Sequence, residues 1–293
     1  MIKFGEMLRS FLTHVLGLIP PAVRRLIIGR SDQPSRIATV FHNLVNYAAP
    51  GGSEELTCYG PLQGFKMSTD WERYRGYVYG SWEPMATQAI LSYAKRGMCV
   101  FDIGAHLGYY SLLLAKCVGP AGRVVSFEAA PKNFSKLQRN ILINKLDNVQ
   151  LMNLAVFSKS GMIGMSVSPT DNGSGDWSIS RQLQGDSIQV QTISLDQFSE
   201  ANHILPDFIK IDVEGAEYDV LMGGRETIAR SQPIMLIELH HFDADISANR
   251  VPDLLSKWNY RIQWLERWPQ TSQILAQPFP TVLQEASSPV LNP

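Results

Sequence analysis

Residues 99–128 restrict the fold of this chain more tightly than any other stretch. A short apolar run, Cys99-Val100-Phe101, ends in Asp102; Gly104 and Gly108 follow, and then the amphipathic residues 109–117. An apolar strand, a glycine turn and a helix make the first half of a βαβ unit, and Val124 to Phe127 supplies its second strand, ending in Glu128. Gly104 lets the backbone turn sharply and lets a ligand approach closely. The helix starting near Gly108 aims its free N–H groups and positive dipole end at the same spot. Glu128 stands twenty positions after Gly108, where a carboxylate closing the second strand takes both hydroxyls of a ribose. The pattern predicts a nucleoside-cofactor site.

A dinucleotide fingerprint would read G-x-G-x-x-G, its second glycine clearing room for a pyrophosphate. Here the run is Asp102-x-Gly104-x-x-x-Gly108. A carboxylate at that point repels a pyrophosphate and pairs with an α-ammonium group. S-Adenosyl-L-methionine carries such an ammonium together with an adenosine, and is the expected cofactor. An NAD(P)-dependent oxidoreductase is the alternative that Asp102 disfavours. A non-catalytic binding protein of the same fold is a second alternative, against which stands a full set of polar residues at the strand ends.

Four segments resemble the FkbM family of class I S-adenosylmethionine-dependent methyltransferases: Phe101-Asp-Ile-Gly-Ala-His-Leu-Gly-Tyr-Tyr-Ser, Val125-Ser-Phe-Glu128, Phe208-Ile-Lys-Ile-Asp-Val-Glu-Gly-Ala-Glu217 and Pro233-Ile-Met-Leu-Ile-Glu-Leu-His240. The third is the most specific, and the likeness runs from about residue 80 to 277. It implies a Rossmann-like class I sheet, α/β, mostly parallel and seven-stranded, with helices on both faces. It also implies cofactor contacts at Glu83, Asp102, Gly104, Ala105, Gly108, Glu128, Asn153, Ala155 and Asp212. Asn153 and Ala155 are placed by register alone, at the strand end where class I enzymes meet the adenine.

The remaining chain fits this frame. At 293 residues with 45% hydrophobic and 18% charged content, it is a folded globular chain rather than a disordered one. A net charge of −1 offers no field for nucleic acid. Three cysteines and six histidines have no zinc-finger spacing, and an odd cysteine count without a secretory pattern points to a reducing cytoplasm. Residues 1–30 carry apolar positions at helical spacing, interrupted by Pro20-Pro21. That stretch is too short and interrupted to span a bilayer, and no signal-peptide cleavage site follows it. It reads either as a helix docked on its own core or on a second copy in a homodimer, or as a peripheral membrane helix at the inner face. The expected domains are residues 1–55 (helices and linker), 56–277 (the methyltransferase domain) and 278–293 (a flexible tail).

Before the cofactor domain, residues 56–59 and 64–68 read as a hairpin, and residues 71–84 hold a cluster of aromatics. Such a cluster is a packing platform or a lid whose ring faces attract the sulfonium; the resemblance favours the lid, because Glu83-Pro84 recurs in the family, with Pro84 starting a helix. Further on, residues 149–156 and 161–167 read as strands, 169–186 as a long substrate-side loop anchored by Trp177, 188–192 as an outer strand, and 216–228 as one helix.

Asp102, Glu128, Asp212, Glu214, Glu238 and His240 all fall at carboxyl ends of predicted strands, where ligands bind in such sheets. Methyl transfer to a hydroxyl needs alignment and a means of removing its proton. His240 can act as the base, oriented by Glu238 two positions away on the same strand face. Alternatively Asp212, Glu214 and Glu238 hold Mg²⁺ or another divalent cation that acidifies the hydroxyl. Glu217 reads as an acid favouring its helix's positive end, His241 as a surface residue and His106 as a local contact. The acceptor expected by analogy is a hydroxyl of a glycan or other small molecule.

Overall fold

The computed structural model describes residues 53–167, 177–179, 187–241 and 249–279. The N-terminal helices, most of the 169–186 loop and the tail beyond 279 lie outside the described residues, so the expectations placed on them have no counterpart here.

The described chain opens with a hairpin of β1 (Ser53–Thr57) and β2 (Lys66–Asp70), followed by helices α1 (Trp71–Tyr79) and α2 (Pro84–Tyr93). The βαβ unit is β3 (Cys99–Ile103), α3 (Tyr109–Val118) and β4 (Arg123–Phe127), succeeded by α4 (Pro131–Ile143) and β5 (Val149–Met152). Four short strands intervene, β6 (Ala155–Val156), β7 (Gly161–Val167), β8 (Trp177–Ile179) and β9 (Ser187–Ile193). Then come α5 (Leu195–Asn202), β10 (Phe208–Ile211), α6 (Glu217–Gly223), α7 (Arg225–Ser231) and β11 (Ile234–His240), with α8 (Val251–Lys257), β12 (Tyr260–Arg267) and β13 (Thr271–Pro278) closing the domain.

The central sheet has seven strands in the order β12-β13-β11-β10-β3-β4-β5. β11, β10, β3, β4 and β5 are parallel, and β13 runs antiparallel to both its neighbours. This is the doubly wound, mostly parallel seven-stranded sheet that the sequence predicts. The chain winds outward from β3 in one direction and from β10 in the other, so the crevice between those two strands is the switch point where ligands bind.

Period-two alternation along the strands sends side chains to two cores. Val100, Val124, Phe208 and Leu236 pack with Ile90, Leu112, Leu113 and Leu137 on one face. Phe101, Ile103, Val125 and Phe127 pack with Leu195, Phe198, Val220 and Leu255 on the other. Full burial of each such side chain is worth about 1.5–3 kcal/mol, which is why these strands read as unbroken apolar runs.

Four elements depart from the sequence reading, the first being residues 177–179, read as part of a loop, which form β8 and pair with β7. Residues 149–156 split into β5, in the central sheet, and β6, which joins β7, β8 and β9 in a separate four-stranded sheet. The predicted helix at 216–228 breaks at Gly224, where a Cβ would stand 2.8 Å from Leu195 Cδ1. The hairpin begins at Ser53, inside the stretch read as linker.

Candidate functional site

The turn after β3 is built around two glycines with left-handed backbones. Gly104 has φ +83, and a Cβ there would sit 1.7 Å from the carbonyl oxygen of Asp212. The backbone just beyond β10 thus already requires glycine here. Gly108, with φ +92, caps α3, and a Cβ on it would meet Leu137 at 2.7 Å. Ala105 is buried between them, its N–H bonded to the Phe127 carbonyl.

Glu128 closes β4 as expected. Its Oε2 accepts from the His106 N–H at 2.7 Å and its Oε1 from the Ala130 N–H at 2.8 Å. Burial raises its pKa to about 7 despite those two bonds. Each oxygen keeps lone-pair capacity for a further donor. Asn153 supports this corner: its Nδ2 donates to the Glu128 carbonyl at 2.8 Å and the Ala129 carbonyl at 3.2 Å. Ala155 lies in β6, buried against Ala129 in the small sheet's core.

Asp102 is 0% exposed, so it lies beneath the loop and not on a surface a ligand could touch directly. Its Oδ2 accepts from the Ser111 hydroxyl at 2.6 Å, and Ser126 donates in turn to Ser111 at 2.9 Å. Oδ1 is buried with no partner among the described residues. Strand register explains its neighbours. Ser126 and Lys210 stand directly opposite Asp102 on the two adjoining strands, forming a polar row across one face of the sheet. Burial raises the pKa of Asp102, and Lys210 works against that rise.

Lys210, which sequence reading passed over, is the cation of the row. Its Nζ donates to Asp212 Oδ2 at 3.0 Å and lies 4.9 Å from the centre of the Tyr110 ring. Burial disfavours the ammonium, but Asp212, Asp102 and Glu83 outweigh it and raise its pKa. Asp212 shows the converse: burial works to raise its pKa, and Lys210 and then His240 bring it below the ordinary value. An apolar strand interrupted by one lysine, Phe208-Ile-Lys-Ile, was the available signal.

Glu83 and Glu238 converge on Gln273. Tyr110 donates to Glu83 Oε2 at 2.6 Å, and the Gln273 amide donates to Glu83 at 2.7 Å and to Glu238 at 3.4 Å. Burial is the first cause of a raised pKa in both acids; Asp212 adds to it in each, and Glu83 adds to it in Glu238. The expectation that Glu238 orients His240 is corrected here, since Glu238 is engaged with Gln273, its direct partner on β13.

The acid that meets Nδ1 of His240 is Glu217. His240 Nδ1 lies 2.7 Å from Glu217 Oε1, while His240 Nε2 lies 3.2 Å from Glu214 Oε2 and 4.0 Å from Asp212 Oδ1. Burial acts to lower the pKa of His240, but Glu217, Glu214 and Asp212 together raise it to about 10. Asp212, Glu214 and His240 each offer one donor atom within 4.8 Å of the others, so a divalent cation would find His240 where Glu238 was expected.

Two further readings concern the aromatics and the histidines. Tyr74, Tyr77, Trp82 and Tyr109 pack on one another, with Tyr77 stacked on Tyr109 at 4.8 Å and edge-on to Trp82 at 4.7 Å, which is the packing platform of the two readings. His106 contacts Tyr74 and Tyr77 at 3.4 Å each, the local role expected, whereas His241 is buried and bonded to Ser272 at 3.0 Å. No helix among the described residues is long and apolar enough to cross a membrane.

A sequence profile described as the methyltransferase FkbM domain matches residues 102–262. The 2-O-methyltransferase NoeI of Sinorhizobium fredii is 24% identical over 201 residues, covering 62% of this chain and 80% of its own. The hexuronic acid methyltransferase AglP of Haloferax volcanii is 27% identical over 169 residues, covering 57% of this chain and 65% of its own. The crystal structure of methyltransferase FkbM from Methylobacillus flagellatus superposes with a TM-score of 0.44 at 19% identity, over 61% of this chain and 43% of that one.

Proposed function

The chain belongs to the FkbM methyltransferase family and is an S-adenosylmethionine-dependent methyltransferase, and from that premise we propose that it methylates a hydroxyl on a glycan or other small-molecule acceptor. The carrying observation is the imidazole of His240, held at Nδ1 by Glu217 and presenting Nε2 toward Asp212 and Glu214 at the ligand end of β10 and β11. One relative, named for 2-O-methylation, supports transfer to oxygen, and another, named for a hexuronic acid, supports a sugar acceptor.

S-Adenosylmethionine supplies the methyl group. Glu128 binds ribose hydroxyls with the lone pairs its backbone bonds leave, and the α3 N-terminus favours the cofactor's carboxylate. The orphaned Oδ1 of Asp102 and the Lys210 cation set the charge beneath the loop. His240 takes the acceptor's proton at Nε2. The carboxylates that raise its pKa to about 10 strengthen it as a base, and a cationic sulfonium nearby works in the opposite sense, favouring the neutral imidazole.

A divalent cation is the second reading, favoured by the three donors of Asp212, Glu214 and His240. Two carboxylates and an imidazole suit a hard cation that would acidify the hydroxyl. Against it, Asp212 Oδ2 is already committed to Lys210.

Formation of S-adenosylhomocysteine from S-adenosylmethionine in the presence of a panel of sugars and natural-product alcohols tests both readings. If His240 acts unaided, EDTA changes nothing and His240→Ala costs about 10²–10⁴-fold in kcat. If a metal acts, EDTA abolishes transfer and Mg²⁺ or Mn²⁺ restores it. Full activity of His240→Ala, with and without EDTA, refutes both.

A further inference from the structure

We infer that Glu217 is a positioning residue for the transfer step, fixing which nitrogen of His240 faces the acceptor. This rests on the reading that His240 Nε2 works at the methyl acceptor.

A carboxylate in the first turn of a helix is usually a solvated acid that favours the dipole. Glu217 is not solvated: it is 2% exposed. Its Oε1 accepts from the Gly215 N–H at 2.8 Å and meets His240 Nδ1 at 2.7 Å, so one oxygen binds both the loop backbone and the imidazole. A buried carboxylate is tolerated when its hydrogen bonds are satisfied by donors fixed in place, and these two are its fixed donors.

The segment from Asp212 to Glu217 therefore clasps the imidazole from both edges. Asp212 and Glu214 stand on the Nε2 side and Glu217 on the Nδ1 side. The turn that achieves this is tight: Glu214 has φ +52, uncommon for a residue with a side chain, and Gly215 has φ +101. A left-handed non-glycine residue persists where its surroundings hold it, and here it swings Glu214 toward Nε2 while the next turn brings Glu217 back to Nδ1. The two ring nitrogens are chemically distinct, and the bond at one decides what the other can do. Glu217 Oε1 serves as the acceptor at Nδ1, which places that proton on Nδ1 and makes Nε2, on the Glu214 side, the nitrogen that exchanges one with the acceptor. Glu217 touches neither acceptor nor cofactor in this role; it acts through His240.

The test is steady-state kinetics of Glu217→Ala, Glu217→Gln and His240→Ala and of the Glu217→Ala, His240→Ala double variant, with thermal melting to confirm folding. Supporting positioning partners are worth about 10- to 100-fold. Glu217→Ala is expected to lose that much kcat with KM for S-adenosylmethionine unchanged. Glu217→Gln keeps an acceptor oxygen for Nδ1–H and recovers most of the rate; being isosteric, it keeps the test decisive if the alanine variant fails to fold. In the double variant, Glu217→Ala adds nothing to the loss caused by His240→Ala. Wild-type kcat in Glu217→Ala alongside a crippled His240→Ala overturns this inference and leaves the proposed function standing. So does a multiplied loss in the double variant, or a Glu217→Gln as impaired as the alanine. Full activity of His240→Ala overturns the proposed function itself.

Discussion

Replacing Lys210 with methionine isolates what the buried polar row costs and contributes. Methionine keeps the length and the apolar stem against Tyr110 while removing the charge. At an effective dielectric near 20, the 3.0 Å contact with Asp212 corresponds to about 5.5 kcal/mol of attraction. The ammonium's lost hydration, several kcal/mol, offsets much of it in the native protein. The variant, however, leaves Asp102 and Asp212 without their cation, and breaking such a buried pair costs about 3–5 kcal/mol. With Lys210 gone, both acids bind protons more tightly in the folded variant than in the folded wild type. The deficit is therefore full near neutral pH and shrinks as the pH falls toward the ordinary aspartate range. Urea denaturation followed by tryptophan fluorescence at several pH values measures this, and Asp102→Asn in the Lys210→Met background should recover part of the loss. A deficit under about 1 kcal/mol, or one that does not change with pH, would refute the view that Lys210 neutralises the row.

Gly104→Ala should be among the most damaging small substitutions, since its Cβ would lie 1.7 Å from the Asp212 carbonyl in a backbone of φ +83; thermal melting and cofactor titration should both show severe loss, and a near-native protein would contradict the packing of β3 against β10. Glu128→Ala should weaken S-adenosylmethionine binding by about 1–3 kcal/mol in calorimetry, the worth of charge-assisted hydrogen bonds. Because burial raises Glu128 to about 7 and the anion is the better ribose acceptor, wild-type affinity should climb as pH passes through that value, whereas Glu128→Ala should be flat.

The sequence alone determined what depends on local order. Continuous apolar strands, the turn from Asp102 through Gly108 and the register of Glu128 specify a parallel βαβ sheet and its cofactor corner, because period and spacing follow from backbone geometry. They also put Asp212, Glu214 and His240 at strand ends, and the fold brings these three together. Tertiary structure decided which polar groups pair. Glu238 and His240 share a strand face, yet the antiparallel β13 sets Gln273 beside Glu238, and the left-handed turn at Glu214 brings Glu217 to His240. Lys210 sat within an apolar run and gained its meaning only when β3 placed Asp102 opposite it. Gly104 was legible as a turn but not as the seat of the Asp212 carbonyl. Pairing across strands depends on register and on the path of distant segments, so no local pattern carries it; burial then makes each pairing energetically decisive, because an unmatched charge has no water to turn to.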